Sequence, residues 1–206
     1  MTRPTTLLLA TTNAGKVAEL ADAVAGAGCF RVLGLGDMGK APEVVENETT
    51  FAGNARLKAE AYATHFGVKC LADDSGLCVD AIAGAPGIHS ARYAGLGATD
   101  ETNWRKLLTE LAGVSERSAH FVCALAYATP GASTEVFEGK CAGVITNAPR
   151  GTYGFGYDCV FQPLGSALTL AEVQPEEKRR ISHRAKALAA WLATLNAEPN
   201  VDVKGT

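Results

Sequence analysis

The chain has 206 residues, 47% hydrophobic and 20% charged, a balance that supports a buried core without disulfide or metal staples and excludes a disordered protein. A net charge of −3 leaves no electrostatic footprint for a nucleic-acid polymer. No apolar run approaches the roughly 18 residues of a membrane span, and Leu7-Leu8-Leu9-Ala10 lacks the length and flanks of a signal peptide. Six cysteines, at positions 29, 70, 78, 123, 141 and 159, contain no C-x-x-C pair. That spacing argues against zinc ribbons and redox motifs and for reduced, mostly buried thiols in a cytoplasmic protein.

Thr6 to Ala10 reads as a short strand, followed by the loop Thr11-Thr12-Asn13-Ala14-Gly15-Lys16. Val17, Leu20, Ala21 and Val24 then recur at helical spacing, with a C-cap expected at Gly26-Ala27-Gly28. Phe30 to Leu33 is a second strand, so the opening predicts a parallel βαβ unit. Gly34 to Lys40 reads as a loop, and Phe51 to Phe66 as a helix with Thr50 as its N-cap. Strands are expected at Lys69–Leu71 and Leu77–Val79, then a helix from Asp100 to Leu111. Ala119 to Tyr127 and Val136 to Ile145 form a hairpin around Thr129-Pro130-Gly131. A short strand at Val160–Phe161 and a final helix from Ser182 to Leu195 complete the pattern, with a polar tail from about Ala197. One α/β domain over residues 1–206 with a mixed sheet is expected, the hairpin region forming a second lobe.

Gly34-Leu35-Gly36-Asp37-Met38-Gly39 matches the dinucleotide fingerprint in form only. The fingerprint needs a helix to start inside it, and Pro42 pushes Ala41 out of helical geometry. Thr11 to Lys16 has better context, because a strand-to-helix loop presents amides and the positive helix end to phosphates. The alternative is an N-capped helix carrying a solvated lysine.

Asp73-Asp74-Ser75-Gly76 places two carboxylates at an expected strand end. Neighbours in extended chain face opposite ways, so one aspartate can meet a metal or water while the other braces the loop. An acidic turn is the competing reading. Glu43, Glu46 and Glu48 add hard oxygen donors of the kind magnesium takes. Gly154-Phe155-Gly156-Tyr157-Asp158 sets glycines between aromatics, suited to close approach and stacking on a planar base or to a structural loop. Lys178-Arg179-Arg180-Ile181-Ser182-His183-Arg184 is a basic turn at the last helix, either solvated or anion-binding. His65, His89 and His120 read as structural, and Asp80 as a turn residue.

The order of TTNAGK, a Glu before TF-x-x-NA, LADDSGL, GAPGIHSARYAG, GFGYD and SHRAKAL resembles the inosine triphosphate pyrophosphatase (Ham1-like) family, from about Leu7 to Leu195. The resemblance implies an elongated two-lobed α/β fold around a long mixed sheet, with the active-site cleft between the lobes. It further implies hydrolysis of ITP, dITP and XTP to the monophosphate and pyrophosphate, with magnesium and a homodimer. Carried over by motif, Thr11, Thr12, Asn13, Ala14, Gly15, Lys16 and Lys58 would hold the triphosphate, and Glu46 and Asp74 the magnesium. Asp74, or its neighbour Asp73, would act as general base, with Ser75 beside it contacting substrate. Phe155, Gly156, Tyr157 and Asp158 would line the base pocket, and Lys178, His183 and Arg184 would complete the site.

Two departures stand out from the family pattern. Gly53 stands where a capping-box glutamate is usual, at a cost of about 1 kcal/mol in helix propensity. Cys159 replaces the usual proline after GFGYD. A thiol nucleophile is disfavoured, since no paired Cys–His motif is visible. A pyrimidine-directed pyrophosphatase of Maf-like type and a non-catalytic nucleotide-binding module are the alternatives, which a substrate panel separates.

Overall fold

The computed structural model describes residues 4–25 and 30–197. The C-cap expected at Gly26-Ala27-Gly28, Cys29 and the tail beyond Ala197 lie outside the described residues. Strand β1 (Thr5–Leu9), helix α1 (Ala14–Ala25) and strand β2 (Phe30–Gly34) form the expected βαβ unit, with β1 and β2 parallel from Thr5–Phe30 to Leu9–Gly34. Helix α2 (Phe51–Phe66) starts where Thr50 accepts a hydrogen bond from the Gly53 N–H at 3.0 Å. After it run β3 (Lys69–Val79), α3 (Asp100–Glu110), β4 (Ser118–Ala128), β5 (Glu135–Ile145) and β6 (Phe161–Pro163). Helices α4 (Pro175–Ile181) and α5 (His183–Ala197) close the chain. The six strands make one sheet in the order β2-β1-β3-β4-β5-β6. β1 is parallel to both neighbours and the remaining pairs are antiparallel, so the sheet is mixed as expected.

Apolar alternation assigns the two faces. Leu7, Leu9 and Leu71 point toward α1 and α5, where they pack with Leu20, Val24, Leu188 and Trp191. Leu8, Cys70 and Ala72 meet α2 through Ala55, Ala59 and Ala63, small residues one helical turn apart that let the helix lie close to the sheet. A third core gathers Leu77, Val79, Leu107, Phe121, Val160 and Phe161 toward the other end of the long strands. Among the described residues no helix is long and apolar enough to cross a membrane.

Several expectations are corrected. Asp73-Asp74-Ser75-Gly76 is not a turn between two strands: β3 is continuous, and β4 pairs with it from Cys70–Ala128 to Val79–Ala119. A complete ladder outweighs the local turn preference of these residues. The last helix, expected from Ser182 to Leu195, runs as α5 from His183, but an unexpected helix, α4, precedes it: Ser182 is extended (φ −69°, ψ 159°), donates its N–H to Lys178 O and accepts one from the Ala185 N–H, ending α4 and capping α5. Pro175 at the first turn of α4, with Glu176 and Glu177, is the start signal that reading missed. The short strand begins at Phe161 rather than Val160, because residues 158–160 form a 3-10 turn. At Gly34 to Gly39 no α-helix follows the glycines, and the Gly34 N–H is engaged by the Asp37 carboxylate at 2.8 Å.

Candidate active site

Strand β1 ends at Leu9 opposite Leu71, so residues 72–79 of β3 run on past it. A cavity of about 370 Å³ opens there, lined by Asp74, Ser75 and Gly76 of β3 and by the β1–α1 loop. Thr11, Thr12, Asn13 and Lys16 line it; Ala14 and Gly15 do not. Asn13 Oδ1 accepts the Lys16 N–H at 3.1 Å, capping α1. Lys16 is not solvated: its ammonium lies 3.0 Å from Asp73 Oδ2. Gly15 is covered by the Phe155 ring, which leaves no room for a side chain there.

The two aspartates divide as strand alternation requires. Asp73 is buried against Lys16 and Arg184 (3.1 Å) and accepts the Ser75 hydroxyl at 3.0 Å. Burial alone would raise its carboxyl, but those two cations outweigh it and hold the group well below the usual carboxylate range. Asp74 lines the cavity instead, and Asn54 Nδ2 donates to its Oδ2 at 3.1 Å. Burial pushes its pKa up, Lys58 opposes and Glu46 adds to the rise. Of the three upstream glutamates only Glu46 lines the cavity, its Oε2 3.1 Å from Lys58 Nζ.

The far wall comes from the GFGYD loop and α4–α5. Phe155, Gly156, Tyr157, Asp158, Lys178, His183 and Arg184 all line the same cavity. Lys178 is buried, 2.7 Å from Asp158 and 2.9 Å from Glu19, and sits 4.7 Å from the Phe155 ring centre. Burial lowers its pKa but the two carboxylates outweigh this and raise it, so it stays charged. Arg184, 1% exposed, spends all but one of its N–H groups on Asp73, Glu19 and Ser75. His183 is no surface cap: it stacks on Phe121 at 4.6 Å, and its Nδ1 is buried without a partner. Burial, reinforced by Arg184 and Lys178, keeps its imidazole neutral at pH 7.

Three contributors escaped sequence reasoning. Glu19 of α1 bridges Lys178 and Arg184, Asn54 holds Asp74, and Asp100 accepts the Gly156 N–H at 2.7 Å. Only Asn54 had a signal, as the Asn of TF-x-x-NA. The five described cysteines are unpaired, Cys70, Cys123 and Cys141 being buried. Burial pushes the Cys123 thiol up to about 12, which leaves it un-ionised and a poor nucleophile. His65, His89, His120 and Asp80 stand outside the cavity lining.

Fold and cavity define an α/β protein whose mixed sheet carries a pocket in which carboxylates and cations stand together, most of the cations ion-paired. The chain belongs to the Ham1 family, which its residues 7–194 match. It is 53% identical over 184 residues to the dITP/XTP pyrophosphatase of Geobacillus kaustophilus, covering 88% of this chain and 90% of that protein. The dITP/XTP pyrophosphatase of Streptomyces coelicolor is 48% identical over 189 residues, covering 90% and 94%. The solved Ham1 protein of Staphylococcus aureus is similar with a TM-score of 0.85 and 38% identity, over 94% of this chain and all of that one.

Proposed function

We propose that the chain hydrolyses ITP, dITP and XTP to the monophosphate and pyrophosphate, clearing aberrant purines from the nucleotide pool. The observation that carries this reading is Asp74: a carboxylate beside Glu46, Lys58 and the N-terminal turn of α1, in a pocket whose opposite wall is aromatic and polar. The names of the relatives at 53% and 48% identity support the reaction.

Glu46 and Asp74 fit a magnesium ion by the chemistry of their donors. They are hard oxygen ligands in one cavity, and Glu46 adds to the burial that already disfavours a charged Asp74, a repulsion that a cation relieves. Among the described residues no third acid, His or Cys joins them, as suits an ion that completes its shell with water and phosphate oxygens. Once bound, the ion supplies positive charge against the phosphates of substrate and leaving group.

The chain's own residues do the rest. The Thr11-Thr12-Asn13 loop, with the ammonium groups of Lys16 and Lys58, holds the phosphate chain. Asp74 accepts the proton of the water that attacks the α-phosphorus. Asp73 does not, because it is locked between Lys16 and Arg184. At the other wall, neutral His183 and Arg184 line the cavity with Phe155 and are the groups assigned to the base. A donor there pairs with the 6-oxygen of hypoxanthine or xanthine and clashes with the 6-amino group of adenine, a mismatch worth up to about 10⁴-fold.

The same proposal takes the pocket as the cleft of a two-lobed fold, supported by the separation of the cores along β3 and β4. It also includes a homodimer, read by sedimentation, and a cytoplasmic location. The decisive experiment is pyrophosphate release from a nucleotide panel with and without magnesium. ITP, dITP and XTP turning over far faster than ATP or pyrimidine nucleotides, and only with the cation, is the expected result. Preference for ATP or a pyrimidine, or indifference to chelator, overturns it.

A further inference from the structure

We infer that Asn54 is a positioning residue of the metal centre, joining Asp74 and the segment that carries Glu46 into one unit; the inference rests on the reading of those carboxylates as cation ligands. Asn54 is 2% exposed, and both ends of its amide are engaged. Nδ2 donates to Asp74 Oδ2 at 3.1 Å, and Oδ1 accepts the Glu48 N–H at 3.0 Å. Only one orientation satisfies this. Turned over, the amide would set its oxygen against a carboxylate and its NH2 against an N–H. Asp74 accepts nothing else from the described residues, so its Oδ1 has no protein donor to compete with a cation.

Glu48 lies two residues beyond Glu46, so fixing its backbone fixes where the Glu46 side chain starts. Lys58, one turn after Asn54 on the same face of α2, holds the Glu46 carboxylate at 3.1 Å. Gly53 completes the seat: a side chain there would bring its Cβ to 2.8 Å from the Glu48 Cβ, so the segment would have to shift. The glycine that breaks the family's capping box thus leaves room for the acidic segment to lie against the helix. Residues that orient metal ligands typically change affinity by about 10–100-fold when lost.

The test is the binding of manganese(II), as a paramagnetic stand-in for magnesium, to the nucleotide-free protein by electron paramagnetic resonance. It is paired with the magnesium dependence of turnover. Asn54→Ala is expected to weaken manganese binding and raise the half-saturating magnesium concentration by about tenfold. At saturating magnesium the nucleotide KM stays within about twofold, since no phosphate or base contact is removed. Asn54→Ser, smaller but still polar and too short to reach both partners, is expected to weaken the ion in the same direction, and it decides the matter if Asn54→Ala does not fold. Unchanged manganese affinity in a folded variant overturns the role of Asn54. Failure of the unaltered protein to bind manganese, with turnover insensitive to chelator, instead overturns the two-carboxylate reading.

Discussion

Asp73 and Asp74 share a strand and differ in one respect, the face they occupy, and their chemistry follows from it. Asp73 meets the cations of α1 and α5; Asp74 meets an amide and open cavity. Asp74→Asn is therefore expected to lower turnover by about 10³-fold or more with little change in melting temperature. Asp73→Asn leaves buried Arg184 and half-buried Lys16 short of a partner and is expected to cost about 3 kcal/mol of stability. Steady-state kinetics and urea unfolding of the two variants check this division. A stable Asp73→Asn protein, or an active Asp74→Asn protein, would reverse it.

Between elements, the site is held by hydrogen bonds that join distant stretches of chain. Asp100, at the first turn of α3, accepts the Gly156 N–H across 56 positions and so anchors the GFGYD loop. Asp100→Ala is expected to raise KM for ITP about fivefold, the worth of one hydrogen bond, with kcat within about twofold. Asp100→Asn, which keeps an acceptor, restores most of it; equal kinetics in all three proteins would remove the anchor. Such links explain what the sequence withheld. Leu7 to Leu9, the Thr50 cap and the Thr129-Pro130-Gly131 hairpin are local patterns and were legible. The ladder that straightens Asp73 to Gly76 depends on β4, some fifty residues away, and is not local. Motif resemblance placed the carboxylates and the basic turn, but the acceptor of each donor could be seen only after folding.

Across the whole molecule, Glu19 ties α1 to α4 and α5 through Lys178 at 2.9 Å and Arg184 at 2.5 Å. Burial raises its carboxyl, but Arg184 and Lys178 outweigh burial and hold it below the ordinary value. A depressed carboxylate stabilises the fold fully above its unfolded pKa, and that contribution fades as pH falls through the folded value. Glu19→Gln is expected to lose about 3 kcal/mol in urea unfolding at pH 7, and the gap to the unaltered protein should close below about pH 4. A gap constant from pH 7 to pH 3 would show that the pairing contributes nothing. The same pairing reaches four of the five lysines and arginines that line the cavity: Lys16, Lys58, Lys178 and Arg184 each already hold a carboxylate of the chain, whereas exposed Arg92 has no ion pair among the described residues. A small anion such as orthophosphate must compete with these resident partners for charge that is already balanced. A longer polyanion, spanning several of them at once and arriving with its own counterion, gains more from those four sites than a single phosphate does, which favours a triphosphate chain over orthophosphate in the pocket.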